Sequence, residues 1–258
     1  MDLGISGRRA IVCASSRGLG YACADALARE GVDIWINGRD VAALDEAAVK
    51  LRRHGGQVTT VPGDIAAEQT RAALLDSCPA PDILVNNNGG PSPGRFQDWD
   101  RDDWIAALDA NMLAPAFMIQ AVLDGMVERR FGRIVNITSA MVKTPLSPMG
   151  LSTGARTGLT SLSKALSRDV ASANVTINSL LPERFDTERQ RQMAELHSSL
   201  AGITLEEAYD KMRASIAANR LGQPDEFGDA CAFLCSAQAG YISGQNLQLD
   251  GGSYGGLL

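Results

Sequence analysis

Short apolar runs alternate with stretches whose apolar positions recur at helical spacing, and the alternation persists through most of the chain. The runs at 10–13, 33–37, 57–61, 83–85, 133–138, 175–181 and 246–249 predict strands, with helices starting near Gly18, Val41, Ala67, Arg101, Ser152 and Pro224. Strand, helix and strand in repetition build a parallel sheet whose right-handed crossovers place helices on both faces. The expected fold class is α/β: one doubly wound domain over residues 1–258 with a parallel sheet of about seven strands. Any ligand then belongs at the edge shared by the carboxyl ends of the strands.

Residues 183–220 break the alternation. They are charged and helical in pattern, and Thr204 and Glu207 have the spacing of a capping box, which satisfies free amides at a helix start. The segment leaves the carboxyl end of the sixth predicted strand, so it reads as a helical lid over the ligand edge, or else as a solvated helical excursion. Arg184, Arg189 and Arg191 open it, interleaved with Glu183, Asp186 and Glu188, a pattern that suits ion pairing within a helix as well as an anion.

Composition narrows the partners. With 258 residues, 45% apolar and 21% charged, the chain can bury a substantial core. A net charge of −6 argues against a nucleic-acid surface, which needs clustered cations. Small molecules and further copies of the chain, as a dimer or tetramer, are the expected partners. The amino terminus lacks a basic region followed by an apolar run, and no stretch is read as membrane-spanning, so a cytoplasmic protein with no membrane partner is expected. The five cysteines are odd in number and follow no secreted-framework spacing. Cys231 and Cys235 share a helix face, but no histidine is near in sequence. Core packing is expected there rather than a metal.

After the first predicted strand come Ala14, Ser15, Ser16, Arg17, Gly18, Leu19 and Gly20, leading into an amphipathic helix. Glycines at such a turn let the backbone approach a pyrophosphate, which the helix amino terminus attracts. NAD-selective sites place a carboxylate after the second strand, for the ribose hydroxyls. Here Asn37, Gly38 and Arg39 put a glycine at that position with an arginine beside it, and Arg17 adds a second guanidinium. Two planar cations suit a 2′-phosphate, which favours NADP(H) over NAD(H).

These motifs resemble the short-chain dehydrogenase/reductase family, whose fold is a Rossmann domain, and in overall pattern its 3-oxoacyl carrier-protein reductase branch. The turn is similar to that family's Thr-Gly-x-x-x-Gly-x-Gly loop, with Ala14 where the first glycine belongs. Asp64 and Ile65 stand where the family contacts adenine, and Asn86, Asn87, Asn88 and Gly89 resemble its Asn-Asn-Ala-Gly turn. Pro182 and Thr187 match its Pro-Gly-x-x-x-Thr stretch, whose threonine meets the nicotinamide amide, with Glu183 in place of the glycine. The resemblance implies a cofactor site built from residues 14–20, Arg39, Asp64, Ile65, Asn87, Asn88, Gly89, Arg156, Pro182 and Thr187.

The same resemblance assigns chemistry. Ser139 matches the serine that orients the substrate oxygen, and Asn111 the asparagine that supports a water relay; Ser139 can also be read as a backbone cap, and Asn111 as the mark of a kink before Pro115. Ser152 stands at the family's tyrosine position and Arg156 at its lysine position. A serine hydroxyl is shorter than a phenol and a far weaker acid than its pKa of about 10. A guanidinium stays protonated to about pH 12 and relays no proton, though its donors suit ribose hydroxyls or an anionic substrate. Lys143, four residues after Ser139 in the following loop, is the expected substitute acid, base or nucleophile, against the reading of an exposed loop lysine. Tyr209 and Tyr241 are weaker candidates. The implied function is an oxidoreductase acting on a carbonyl or alcohol with NADP(H). Two readings remain open: non-redox carbonyl chemistry, such as dehydration or carbon–carbon cleavage, and a cofactor-binding protein without catalysis.

Overall fold

In the computed structural model, which describes residues 2–257, strands form at Arg9–Val12 (β1), Asp33–Gly38 (β2), Val58–Pro62 (β3), Ile83–Asn86 (β4), Gly132–Ile137 (β5), Val175–Pro182 (β6) and Asn246–Leu249 (β7). They make one parallel sheet in the order β3-β2-β1-β4-β5-β6-β7. Every residue of β4 and β5 is buried, as central strands covered on both faces must be, so neither run alternates apolar with exposed polar positions; the polar members Asn86, Arg133 and Asn136 are buried too.

Helices occupy Gly18–Arg29 (α1), Val41–Leu51 (α2), Glu68–Ser77 (α3), Arg101–Leu108 (α4), Ala114–Glu128 (α5), Gly150–Val170 (α6), Glu188–Ala201 (α7), Leu205–Ala214 (α8) and Pro224–Cys235 (α9). The core divides into two layers. Leu27, Leu44, Leu51 and Phe227 from α1, α2 and α9 pack on one face of the sheet, while Leu74, Met118, Val122 and Leu159 from α3, α5 and α6 pack on the other. The five cysteines are buried free thiols; Cys23, Cys231 and Cys235 share the first layer. Strand order reverses at β1, which lies between β2 and β4, so a crevice opens above their carboxyl ends.

The helix that starts at Arg101 is interrupted by a π turn at Asp109–Leu113, around the Asn111 that marks a kink, where the Ala114 amide donates to the Asp109 carbonyl. Pro115 has no amide to give the Asn111 carbonyl, and the widened turn absorbs that gap. By length and composition Arg101–Glu128 is also long and apolar enough to cross a membrane, with a mean hydropathy of 1.5, against the expectation that no stretch is. Its apolar residues face two ways: Met118, Ile119, Val122 and Met126 enter the core, while Ile105, Leu113 and Phe117 are exposed.

The charged segment 183–220 folds as α7 and α8. The Glu207 amide donates to Thr204 Oγ1 at 3.2 Å and the Thr204 amide to Glu207 Oε2 at 2.8 Å, the reciprocal pair its spacing predicts.

Candidate active site

The turn after β1 is held by backbone geometry. Ala14 adopts φ +45°, a left-handed conformation that costs a side-chain-bearing residue about 1–2 kcal/mol. Its amide donates to Asn37 Oδ1 at 3.3 Å, and its carbonyl accepts from Asn87 Nδ2 at 3.0 Å, tying β2 and β4 to the turn. A Cβ on Gly20 would lie 2.5 Å from the Ala14 carbonyl oxygen and 2.7 Å from Asn87 Nδ2, so only glycine lets α1 pack this closely. No side chain caps the first turn of α1, and no acidic residue lies in it, which leaves the positive end of the helix to an anion.

Two residues expected at the cofactor have side chains that turn inward. Ser15 is fully buried: its amide donates to the Asn37 carbonyl at 2.8 Å, its hydroxyl to the Val12 carbonyl at 2.6 Å, and Oγ accepts from the Asn37 amide at 3.3 Å. These groups fasten β1 to β2. The Ile65 side chain is buried in the second core layer. Leu19 packs partly against the first layer, and Ser16 is half-buried beside Gly38. Arg17 and Arg39 remain exposed, each 3.8 Å from a carboxylate, Asp40 and Asp64 respectively. Exposed pairs of that length contribute little and leave both cations open to a ligand. Asp64 also caps the Ala66 amide at 2.9 Å.

After β4, Asn88 Nδ2 donates to the Ala110 carbonyl at 3.1 Å, and Asn88 Oδ1 accepts from the amide of exposed Gly89 at 2.8 Å. Beneath them Asn86 donates to Asn136, and Asn136 to Ser163, both at 2.9 Å. This buried amide chain aligns β4, β5 and α6.

The chemical residues gather over β5 and α6. Arg156 is 9% exposed, and its guanidinium donates to the Thr138 carbonyl, to Asn111 Oδ1 at 2.9 Å and to the Asn88 carbonyl at 3.3 Å. Nε is buried without a partner, and among the described residues no carboxylate pairs with the group. Burial pushes its pKa down to about 10, with the charge of Arg189 acting in the same direction; it is still a cation at neutral pH. Asn111 sits in the π turn, its Nδ2 3.4 Å from the Ala107 carbonyl and 3.5 Å from that of Gly89. Ser152 is buried, one helical turn before Arg156. Ser139 Oγ accepts from the Met141 amide at 3.2 Å, capping a short 3-10 turn at Ala140–Val142, so it does act as a backbone cap.

Lys143 closes that 3-10 turn, half-buried, with Nζ 5.4 Å from the centre of the Tyr254 ring. Tyr254 was not foreseen. Its only trace in the sequence is an aromatic residue just beyond Asp250, Gly251 and Gly252; both glycines have positive φ, and the Tyr254 amide donates to Asp250 Oδ2 at 2.8 Å, folding the tail back. Tyr241, by contrast, is fully exposed, and Tyr209 lies beneath Arg213 on α8.

Pro182 ends β6, and Thr187 Oγ1 caps α7 by accepting from the Gln190 amide at 3.3 Å. Glu183 is mostly buried beside Arg184, 3.5 Å away. Arg191 pairs with Glu195 on its own helix at 3.0 Å. Arg189 makes no ion pair among the described residues and instead donates to the Pro91 carbonyl at 3.1 Å, joining α7 to the loop after β4.

The profile of the family described as enoyl-(acyl carrier protein) reductase matches residues 13–254. Gluconate 5-dehydrogenase of Gluconobacter oxydans is 32% identical over 254 residues, covering 96% of this chain and 95% of that protein. Dehydrogenase/reductase SDR family member 4 of Bos taurus is 30% identical over 249 residues, covering 95% and 86%. Among solved structures, L-sorbose reductase of Gluconobacter frateurii, complexed with NADPH and L-sorbose, superposes over the whole of both chains with a TM-score of 0.94 at 28% identity. With these matches running from β1 through the tail, the chain belongs to the short-chain dehydrogenase/reductase family.

Proposed function

We propose that the chain is an NADP(H)-dependent oxidoreductase that interconverts a carbonyl and an alcohol on a small molecule, with Lys143 moving the proton. The observation that carries this reading is the shared edge: the Ala14 to Gly20 turn follows β1, the Ser139, Asn111 and Arg156 group gathers after β5, and β4 with the turn of Asn87, Asn88 and Gly89 lies between them in one sheet.

The residues present fit a dinucleotide. The uncapped start of α1 and the close packing at Gly20 suit a pyrophosphate, while Arg17 and Arg39 suit a 2′-phosphate. Asp64, Asn87, Asn88, Gly89, Pro182 and Thr187 line the rest of the cofactor path in this reading, with α7 and α8 as the lid over it. NADPH is bound by the L-sorbose reductase that superposes on the chain.

When bound, NADPH supplies a hydride to the carbonyl carbon and leaves as NADP+. Ser139 orients the carbonyl oxygen. That oxygen takes its proton from the Lys143 ammonium, which solvent restores, giving the alcohol. Ser152 and Arg156 occupy the positions at which the family carries tyrosine and lysine, so the proton route runs through the loop rather than through α6. Tightly held by three carbonyl oxygens, Arg156 positions Asn111 and presents positive charge without relaying a proton. Self-association through the exposed Leu113 and Phe117 completes the proposal.

Titration with both nucleotides and turnover on a carbonyl panel followed at 340 nm test this. NADP(H) is expected to bind more tightly than NAD(H), and Lys143→Ala is expected to lower kcat by about 10² to 10⁴ with NADP(H) affinity retained. Tighter NAD(H) binding overturns the cofactor assignment, and unchanged turnover in Lys143→Ala removes that residue from the chemistry. Product formed without an absorbance change identifies non-redox carbonyl chemistry, and binding without turnover identifies a non-catalytic protein.

A further inference from the structure

Arg156 and Arg189 both reach one short segment, the loop from Asn88 to Pro91. Arg156 donates to the Asn88 carbonyl, and its Nη2 would lie 3.3 Å from a Cβ built on Gly90; Arg189 donates to the carbonyl of the next residue, Pro91. The same Cβ position is 3.6 Å from Ser152 Oγ. The bare backbone at Gly90 therefore lies beside one buried guanidinium and one hydroxyl, with a second guanidinium a residue away.

Neither cation has a carboxylate partner among the described residues, although the chain carries a net charge of −6 and the other two arginines at this end, Arg184 and Arg191, each have one. Arg156 meets only neutral oxygens. A buried charge so placed is poorly screened and acts across several ångströms. Two like charges held this close cost free energy, and an anion between them relieves it. Arg189 retains donors beyond the one used on Pro91, and a guanidinium fork matches a carboxylate.

We infer that the substrate is an oxo acid whose carboxylate docks on Arg189 beside Gly90 and Pro91, with Arg156 as the uncompensated charge behind it and Ser152 as a hydroxyl donor. The inference rests on the oxidoreductase reading for the carbonyl, while the carboxylate subsite is defined by the two arginines alone.

Pyruvate, acetoacetate and levulinate set the carbonyl at three distances from the carboxylate, and their methyl esters remove the charge. Calorimetric titration of the NADP+-loaded protein is expected to show at least one acid binding ten-fold or more tightly than its ester, with the preference weakening at high salt. Arg189→Gln is expected to bring acid and ester together by weakening the acid alone. Equal affinity of acid and ester throughout the series, or no binding of any acid, overturns the inference. So does an Arg189→Gln protein that keeps the preference while losing NADP+ affinity, which would assign Arg189 to the cofactor. If NADP+ itself does not bind, the same titration on the free protein still reads the acid preference, so failure of the oxidoreductase reading and failure of the subsite are separate results. Arg156→Lys, which keeps the charge, is expected to retain part of the preference and serves where a larger change at this buried position prevents folding.

Discussion

The two halves of the sheet edge are built by different means. Over β1 and β4 the determinants are backbone: a left-handed Ala14, the close approach at Gly20 and an uncapped start of α1. Over β5 and β6 they are side chains: Ser139, Asn111, Ser152, Arg156 and Lys143, on a strand end, a π turn, a helix and a loop. A backbone cradle resists substitution where chains approach closely, as at Gly20, and bears a side chain only at a cost in strain, as at Ala14. A side-chain constellation can exchange its members while the scaffold stands, so family membership speaks more firmly for the first half than for the chemistry of the second.

The largest test of that contrast is Gly20→Val. Its side chain would collide with the Ala14 carbonyl and Asn87 Nδ2, so NADP+ affinity is expected to fall by about 100-fold or more, with loss of thermal stability. Calorimetric titration and a thermal melt read both. Retained affinity would mean that the turn is not the phosphate cradle and would dissolve the comparison.

Arg156→Met tests the other half. The substitution leaves Asn111 Oδ1 and the Thr138 and Asn88 carbonyls without this donor, and each buried unsatisfied group costs about 1–3 kcal/mol. Against that loss stands relief of a buried cation with no carboxylate partner, which alone would stabilise. With three acceptors orphaned, we expect net destabilisation of about 1–3 kcal/mol by urea unfolding at pH 7. A more stable variant would show that the charge is kept for ligand binding at the expense of the fold.

The same contrast explains what the sequence alone could carry. Strands buried on both faces announce themselves as apolar runs, and all the predicted strands and helix starts fall within two residues of those observed. The Thr204 and Glu207 cap was legible because it is a local pair with fixed spacing. At Ser15 and Ile65 a motif position gives proximity to a site without giving the direction of the side chain, and both side chains turn inward. Asn111 before Pro115 marks a break in the long apolar helix, but the π form of that break depends on how the turn absorbs the missing amide, which spacing alone does not give. Tyr254 over Lys143, and Arg189 against Pro91, depend on contacts between residues about a hundred apart in the chain, which no periodicity encodes.

Ala14→Gly is a smaller and opposite change. Glycine relieves a left-handed conformation that costs about 1–2 kcal/mol for alanine, but gives back up to about 1 kcal/mol through the freer unfolded chain. A net gain of about 1 kcal/mol or less is expected, read as a raised urea midpoint with unchanged slope. A loss would mean that the methyl packs usefully in the turn.

The smallest expected effect is a pH dependence at Glu183, directly after β6. Burial raises its carboxyl above the ordinary 4.5, against the pull of Arg184 and with a further push from Asp250. The folded protein therefore takes up the proton at higher pH than the unfolded chain. Above the folded pKa the group is ionised in both states, and burying it costs stability; as the pH falls through the folded pKa towards 4.5, the folded state protonates first and that cost is relieved. Glu183→Gln is neutral throughout. The variant should be more stable than the parent at pH 7, and its advantage should shrink as the pH falls through the folded pKa, measured as the difference in urea midpoints. An advantage that grows on acidification would mean that the ion pair with Arg184 outweighs burial, and that this carboxylate belongs with the charged segment 183–220 rather than with the buried sheet edge.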